Sequence, residues 1–394
     1  MTTVNEIVQP VWQAAWSLDI PQYFFMTGVS AAAFLVSSLT YAFGDRRFKP
    51  IAGLALIVAL TVLLAAPLNL VADLGQTGRF YELTFETHRT APISWGVYLL
   101  TSYPALILVE LLFAFRGAFV ERVHRTRGLA RSFYRALALG HVEFTAADAE
   151  RTHAISRRLA LLGIPWALAV HGYTGYILGV IKARPLWHTA MMPVVFLVSA
   201  MVSGVAFMIL VTAIVQRFDT EKRRTDPALM ELLAKLLAVS IVTDLVLRLF
   251  WYSIQWFYGE GAYGAVIHHV FVDSFWTAIV VETVLGLAVP LVVAIVPSLR
   301  RRAPLLYGSA LLATVGVWAF RWDTVIGGQL IPKVGTGFYA YSPPLTGGNG
   351  IESVVANWGV WLALFVVAIW VLPWQLEAGQ AEPRRRGELL ATEA

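Results

Sequence analysis

Residues 163–188 read GIPWALAVHGYTGYILGVIKARPLWH, and the rest of the chain is interpreted outward from this stretch. It begins as the apolar part of a helix long enough to cross a bilayer. Its later turns hold imidazole, phenol and glycine, and it ends in a basic loop with a proline and an indole. Polar side chains are costly inside a bilayer, so residues at this depth are first interpreted as functional. The stretch therefore predicts a membrane helix that ends beside a binding site.

The composition indicates an integral membrane protein. Of the 394 residues, 58% are hydrophobic and only 14% are charged. Several apolar runs reach the roughly 20 residues that span a hydrocarbon core of about 30 Å. Because the backbone must be satisfied within lipid, we expect a single all-α domain, 1–394, folded as a polytopic transmembrane bundle. Residues 1–18 lack the basic start and apolar core of a cleavable signal peptide.

About nine spans are predicted from the apolar runs and from the prolines that punctuate their ends. They are placed at 20–43, 51–72, 93–115, 159–181, 190–215, 229–257, 269–296, 304–328 and 353–373. The segment after them, 374–394, is predicted to be a cytoplasmic tail.

The distribution of Lys and Arg predicts the orientation of the bundle. If successive loops alternate between the two sides, 22 of the 30 basic residues fall on one side and 5 on the other. The other three, Lys235, Arg248 and Arg321, lie within spans. Basic loops stay in the cytoplasm, so the N-terminus is predicted outside and the C-terminus inside. This bias explains the net charge of +5 without a nucleic-acid partner.

The absence of cysteine from the sequence bounds the redox chemistry of this chain. With 0 Cys residues, it has no disulfide, no thiolate metal site and no cysteine-ligated iron–sulfur cluster. Of the 8 histidines, only His171 is clearly well inside a span. A bis-histidine haem needs two facing imidazoles, so we expect no haem here, although a haem held by His171 is an alternative.

The loops on the two sides differ in character. In the basic segment 116–158, Leu129, Phe133 and Leu137 recur at helical spacing and predict a helix lying on the membrane surface. The simpler alternative is an anchor for anionic lipid. On the other side, the loop at 329–352 is rich in Gly, Pro and Tyr and carries little charge, which favours docking of a protein.

His171 and Tyr173 are candidates for binding an amphipathic ring such as a quinone head. Apolar walls with a few converging polar groups suit such a ring, and an imidazole can relay a proton near neutral pH. The alternative is that both side chains only bridge neighbouring helices. Asp19, Gln22 and Tyr23 lie at the start of the first span, near the same interface. Asp19 can also simply cap that helix.

Ionisable residues within the spans form a second group. Six of them are candidates for a proton path: Glu110, Asp244, Arg248, Asp273, Glu282 and Arg321. Asp244 and Arg248 are four residues apart, so they can pair on one helix face and be structural. The other four have no such local partner, and each must find one across the bundle or line a hydrated path.

The opening stretch and its flanks resemble the NrfD/PsrC family of quinone-interacting membrane subunits. The resemblance runs over 16–214, and its most specific motifs are PISWG at 92–96 and RPLW at 184–187. The additional spans at 229–373 look like those of the longer members, which serve hydrogenases and sulfur-cycle complexes.

This resemblance implies a membrane anchor with no catalytic residue, metal site or redox centre of its own. Such a subunit binds menaquinone or ubiquinone near the outer face and exchanges electrons with a docked four-cluster ferredoxin-like iron–sulfur protein. That protein serves a catalytic molybdopterin or hydrogenase subunit. Tyr173 matches the family's quinone-contacting tyrosine, and the first-span contacts of the family fall near 19–23. Arg184 and Trp187 belong to the matching turn and are included in the predicted quinone site.

The sequence therefore supports one main function and two alternatives. The main one is a quinone-binding subunit of a respiratory oxidoreductase in the cytoplasmic membrane of a bacterium or archaeon, with or without proton translocation. The first alternative is a secondary transporter that uses the in-span charges as an ion or substrate path. Transporters often show broken helices in two matching halves, but Pro165 and Pro290 interrupt spans at positions that do not match. The second alternative is an anchor that only tethers its partners.

Overall fold

The computed structural model describes residues 12–13, 16–86, 88, 90–218, 226–257, 262–331, 339–347, 349–372 and 374. Most of the Gly- and Tyr-rich part of the loop at 329–352, and nearly all of the predicted tail, lie outside these residues. Within them, nine long helices form a bundle. Their order is α1 (Asp19–Tyr41), α2 (Lys49–Asp73), α3 (Trp95–Ala114), α4 (Ala146–Gly179), α5 (Met192–Arg217), α6 (Pro227–Phe257), α7, α8 (Ala303–Leu330) and α9 (Ile351–Val371).

Two of these helices contain π-helical turns. α7 joins Ala262–His268, the π-helical His269–Asp273 and Phe275–Ala288, and Val289–Ile295. In α8, the π-helical Asp323–Gly327 separates Ala303–Trp322 from Gly328–Leu330. Short helical turns between the long helices are Arg46–Phe48, Thr77–Arg79, Glu82–Phe85, Pro92–Ser94, Arg116–Arg125, Gly128–Leu137 and Pro297–Arg300. A two-residue parallel pairing joins Trp12–Gln13 to Tyr339–Ala340.

Eight of the nine long helices are long and apolar enough to cross a membrane, and α6 is the exception. The chain is therefore a polytopic helical membrane protein, which confirms the predicted fold class. α6 has 31 residues, but Glu231, Lys235, Asp244 and Arg248 lower its hydropathy.

Hydrogen bonds between helix ends define one face of the bundle, which we call the N-terminal face because α1 begins there. The backbone N–H of Ser17, just before α1, donates to Asp73 Oδ1 at the end of α2 (2.9 Å). The hydroxyl of Ser353, in the first turn of α9, donates to Asp19 Oδ1 (2.8 Å). The starts of α1 and α9 and the end of α2 therefore lie together.

The opposite, basic face is defined in the same way. Arg300, just after α7, donates from Nη2 to Glu231 Oε1 in the first turns of α6 (2.6 Å). α7 is long and apolar enough to cross the membrane, and it ends at the basic face, where α6 begins, so an even number of crossings separates these two points. α6 therefore runs between the faces as well, and α1–α9 correspond to the nine predicted spans.

The fourth span begins earlier than predicted. α4 starts at Ala146 rather than near 159, because a capping box fixes its first turn. Thr145 Oγ1 accepts from the N–H of Asp148 (3.2 Å), and Asp148 Oδ2 accepts from the N–H of Thr145 (3.1 Å). The added turns are polar, so an apolar pattern does not show them.

The helix predicted on the membrane surface is present as Gly128–Leu137. Its Leu129 side chain is 91% exposed. The hydroxyl of Tyr134 donates to the carbonyl of Val371 at the end of α9 (3.0 Å), which places this helix at the basic face. Contact of its apolar edge with lipid stays a prediction.

Small residues set the closest approaches between helices. Gly204 on α5 faces Ala32 on α1, and Gly286 on α7 lies against the backbone of Gly316 on α8. A Cβ added at Gly286 would lie 2.5 Å from the Gly316 Cα, so glycine is needed at this crossing. α1 is buried along almost its whole length, whereas α9 lies at the periphery.

Candidate functional site

Tyr173 lies near the end of α4, at the N-terminal face. Its hydroxyl donates to the carbonyl oxygen of Ile93 (2.6 Å), in the turn that leads into α3. Its ring packs on Gly96, where an added Cβ would lie 2.6 Å from Tyr173 Oη. The motif at 92–96 and Tyr173 therefore form one packed unit, in which glycine makes room for the phenol.

A cavity of about 470 Å³ opens beside this unit, between the end of α2, the turns at 77–85 and the start of α3. Ile93 and Val97 form an apolar part of its wall, and Arg79 and His88 contribute polar groups. Its volume lies in the range of roughly 300–1,000 Å³ that is usual for small-molecule sites. Since Ile93 also accepts the Tyr173 hydrogen bond, this residue connects the phenol to the cavity.

Other aromatic side chains lie on the helices that meet at Tyr173. Tyr23 on α1 is only 2% exposed, and its ring packs against that of Phe24. The rings of Trp95 on α3 and Tyr176 on α4 stack with centroids 5.9 Å apart and planes 8° apart. A contact between Tyr23 and Tyr173 stays a prediction.

Asp19 and Gln22 form hydrogen bonds with α9 and α8 and not with Tyr173. The Asp19 carboxylate accepts from the hydroxyl of Ser353 on α9. Gln22 Oε1 accepts from the indole N–H of Trp318 on α8 (2.8 Å). Both residues therefore hold α1 against the second half of the bundle. The N-cap position, Leu18, makes no side-chain capping bond.

Sequence reasoning missed the residues that fix the start of α1. Ser17 Oγ lies 2.5 Å from Asp73 Oδ1 and 3.4 Å from Asp19 Oδ2, so this hydroxyl bridges two carboxylates. Tyr341, in the loop before α9, accepts from the N–H of Leu18 (2.8 Å), and burial raises the pKa of its phenol. No local pattern reveals these contacts, because Asp73 and Tyr341 lie 56 and 323 residues from their partners.

Arg184 and Trp187 fasten the end of α8 to the loop after α4. Arg184 Nη1 donates to the carbonyls of Gln329 (2.7 Å) and Ile331 (3.1 Å). The indole N–H of Trp187 donates to the carbonyl of Thr324 (2.6 Å). These bonds satisfy carbonyls at a helix end. The structure thus gives the two residues a structural role and does not bring them to the Tyr173 phenol.

His171 faces the interior of the bundle, away from Tyr173. His171 and Tyr173 are two positions apart on α4, and each position turns the helix by about 100°. Their side chains therefore point to opposite sides of the helix. His171 Nε2 lies 2.9 Å from the carbonyl oxygen of Phe196 and 3.2 Å from Arg321 Nη2. Its Nδ1 lies 3.5 Å from Thr27 Oγ1. The predicted pairing of His171 with Tyr173 is therefore not seen.

Four of the six proton-path candidates meet between α6, α7 and α8. We call this group the ion cluster: Asp244, Arg248, Glu282 and Arg321. Arg248 Nε donates to Asp244 Oδ2 (2.7 Å), as the i, i+4 spacing predicted, and Arg248 Nη1 pairs with Glu282. The guanidinium groups of Arg248 and Arg321 lie 3.9 and 5.2 Å from the ring of Phe320. Each member is at most 4% exposed.

The other two candidates lie apart from the ion cluster. Asp273 has local partners after all, since its Oδ2 lies 3.4 Å from His268 Nδ1 and 3.6 Å from His269 Nδ1. Glu110 on α3 is fully buried, and among the described residues neither of its carboxylate oxygens has a hydrogen-bond partner. Sequence reasoning also missed Asp323, which accepts from the hydroxyl of Thr277 (2.9 Å).

The described part of the chain contains no group of three or more His, Asp or Glu side chains arranged to hold a metal ion. The side chains that the structure brings together offer hydrogen bonding, ion pairing and proton exchange. These features define a polytopic helical membrane protein with a cavity at one face and a buried ion cluster.

Comparison with known proteins places the chain in a family. It belongs to the NrfD family, because the family model described as "Polysulphide reductase, NrfD" matches residues 6–333. A selenate reductase subunit of Mesobacillus selenatarsenatis is 30% identical over 385 residues, which cover 91% of this chain and 86% of the relative. A tetrathionate reductase subunit of Salmonella typhimurium is 25% identical over 92% of this chain and 94% of the relative.

A third relative is the Hdr-like menaquinol oxidoreductase integral membrane subunit of Archaeoglobus fulgidus. It is 24% identical over 78% of this chain and 69% of its own length. By their names, the first two relatives are subunits of reductases, and the third is an integral membrane subunit of a menaquinol oxidoreductase. This family membership confirms the resemblance seen in the sequence.

Proposed function

We propose that the chain is the quinone-reactive subunit of a respiratory oxidoreductase, and that the quinone head binds in the cavity beside Tyr173. The observation that carries this proposal is the hydrogen bond from Tyr173 to Ile93, because Ile93 also walls the cavity. A phenol that donates to a backbone carbonyl can instead donate to a quinone carbonyl at the same edge. Tyr173 would then orient the ring and supply a proton at that oxygen.

The cavity suits a quinone head in size and polarity. Such a head is a flat apolar ring with two carbonyl acceptors, and it needs apolar walls with a few polar contacts. Ile93 and Val97 supply apolar surface, and Arg79 and His88 lie where the cavity meets the N-terminal face. Menaquinone or ubiquinone would be an exchangeable substrate, not a resident cofactor.

Partner subunits are proposed to dock over the same face. Phe80, Tyr81 and Phe85, in the turns beside the cavity, are 53%, 50% and 81% exposed. Exposed aromatic groups outside the bundle are typical of surfaces that another protein covers. A four-cluster ferredoxin-like iron–sulfur subunit seated here would exchange electrons with the quinone. It would in turn serve a catalytic molybdopterin or hydrogenase subunit.

The N-terminal face is proposed to be the outer one. Arg46, Arg47 and the run at 300–302 lie at the ends of helices on the basic face, and so do the nine arginines of 116–158. Loops this rich in Arg remain in the cytoplasm. The chain would thus lie in a bacterial or archaeal cytoplasmic membrane with its partners outside. If the complex moves protons, the path passes through the ion cluster, since Glu110 and Asp273 lie apart from it.

The test is a pair of matched substitutions in the purified chain. Tyr173→Phe removes the hydroxyl at the proposed site, and Tyr307→Phe removes one near the basic end of α8. Loss of one hydrogen bond of about 1 kcal/mol is expected to weaken binding of a fluorescent quinone analogue roughly fivefold to tenfold. Tyr307→Phe should bind like the unmodified chain. Unchanged binding by Tyr173→Phe would refute the site.

The same two variants, in the assembled complex, test the redox function. Tyr173→Phe should lower quinone-dependent turnover without disrupting assembly. The transporter alternative predicts something different, namely uptake by the chain alone in vesicles without partners.

A further inference from the structure

The buried face of α6 is apolar in the first half of the helix and mostly polar in the second half. Its buried positions recur every three or four residues, as expected for a helix face that packs inward. Toward the basic face they are Leu233, Leu237 and Ile241, none of which has exposed surface. Toward the N-terminal face the same stripe continues as Asp244, Arg248, Trp251 and Gln255.

Each polar residue of this stripe has an atom without a hydrogen-bond partner among the described residues. The atoms are Asp244 Oδ1, Arg248 Nη2, Trp251 Nε1 and Gln255 Oε1. The four residues are at most 4% exposed, so bulk solvent does not reach these atoms. Arg321 on α8 is fully buried and adds two more, Nε and Nη1.

Contacts with Phe320 show that Arg248, Trp251 and Arg321 lie in one region. Arg248 lies over the Phe320 ring (3.9 Å), and Trp251 meets the same ring edge-on (6.4 Å). Arg321 is the next residue on α8, and Glu282 closes the region from α7 through its pair with Arg248. The residues that carry these atoms therefore lie close together between α6, α7 and α8, with Gln255 one helical turn beyond Trp251 on α6.

A buried polar atom left without a partner costs about 1–3 kcal/mol, so native proteins pair nearly all of them with protein groups or bound water. Six such atoms in one region indicate a ligand with both donors and acceptors. Asp244 and Gln255 offer acceptors, whereas Arg248, Trp251 and Arg321 offer donors. Asp244 and Glu282 balance the charges of Arg248 and Arg321, and Asp323 nearby adds a carboxylate with a buried, unpartnered Oδ2, which disfavours an anionic ligand. Water fits these requirements.

We propose that a row of internal water molecules binds along this stripe and forms a half-channel. It runs from Gln255, near the N-terminal face, to the Arg248–Glu282 pair, and it ends at Ile241. The apolar stretch beyond Ile241 separates it from the basic face. The half-channel therefore lets buried carboxylates exchange protons with the N-terminal side only. This inference does not depend on quinone binding at Tyr173.

Radiolytic footprinting of the full chain in lipid nanodiscs tests the proposal. X-ray pulses split water in place, and the resulting radicals oxidise side chains next to bound water. Trp251 and Trp187 are matched probes, because they are 2% and 4% exposed. They differ in that the Trp187 indole N–H donates to a protein carbonyl. Trp256, 68% exposed on the same helix, is the positive control.

Trp251 should be oxidised severalfold faster than Trp187, and in water enriched in heavy oxygen the added oxygen should carry the label. Equal rates for Trp251 and Trp187, with Trp256 oxidised rapidly, would overturn the half-channel. Gln255→Leu removes the amide at the mouth and should lower oxidation of Trp251 toward that of Trp187. It should leave quinone-analogue binding unchanged. Full Trp251 oxidation in this variant would overturn entry of water at Gln255.

Discussion

Gly96→Ala is a sharp test of the packing around Tyr173, because the structure gives the size of the conflict. The added Cβ would lie 2.6 Å from Tyr173 Oη and 2.7 Å from Cε1. Carbon atoms prefer separations of about 3.5–4.0 Å, so the phenol must move by roughly 1 Å. Such a shift lengthens the 2.6 Å bond to Ile93 beyond the usual limit for a hydrogen bond.

The expected cost has two parts. Losing one hydrogen bond costs about 1 kcal/mol, and overpacking costs about 1–3 kcal/mol. Gly96→Ala should therefore destabilise the fold by roughly 2–4 kcal/mol, measured as a lower thermal unfolding temperature in detergent. Because the phenol no longer reaches its position at the cavity, binding of the quinone analogue should weaken about tenfold, equivalent to about 1.4 kcal/mol.

Gly172→Ala is the matched control on α4. Its Cβ would lie 3.5 Å from Leu197 Cδ1, an ordinary contact, so it should bind the analogue normally. It should also gain up to about 1 kcal/mol from higher helix propensity. In the double variant Gly96→Ala/Tyr173→Phe, binding should fall no further than in Tyr173→Phe, since both changes act on one hydroxyl. Normal binding by Gly96→Ala, or additive losses in the double variant, would refute the reasoning.

Three further predictions concern the bundle. Arg248→Met leaves two buried carboxylates without their cation and should lower stability by about 3–5 kcal/mol, seen as a lower unfolding temperature. Gly286→Ala places a Cβ 2.5 Å from the Gly316 Cα on α8, so it should lower the stability of the fold by about 1–3 kcal/mol. The control is Gly308→Ala, whose Cβ would have no neighbour within 4 Å and which should leave the stability unchanged. The chain has 0 native Cys, so a single introduced cysteine reports the side on which it lies. Gly78→Cys should be labelled by an impermeant thiol reagent in intact cells, and Thr126→Cys should be labelled only after lysis. The reverse pattern would contradict the proposed orientation.

The spans were predictable from the sequence because lipid demands long apolar runs, and eight of the nine long helices show them. The start of α4 was not predictable from the sequence, because its first turns are polar and depend on the Thr145 cap. α6 is polar for a span, and only the contacts at the helix ends show that it runs between the faces.

The candidate site was predicted in part. The motif at 92–96 and Tyr173 were both singled out, but their direct contact depends on helix packing that neither motif encodes. His171 was placed with Tyr173, whereas its partner Arg321 lies 150 residues away. Arg184 and Trp187 were likewise predicted without their true partners, because the carbonyls that they bind belong to α8 and the residue after it. Hydropathy fixes which segments meet lipid, but it does not fix which side chains meet each other.

Photolabelling with an azido-quinone tests the central claim most directly. The purified chain in nanodiscs would be irradiated with the probe and its adducts mapped by mass spectrometry, with excess unlabelled quinone as competitor. Quinone binding beside Tyr173 predicts adducts within 74–97 and 173–176 that the competitor suppresses. Adducts confined to α6–α8 or to the lipid-facing side of α9, or adducts at 74–97 that the competitor does not suppress, would contradict it.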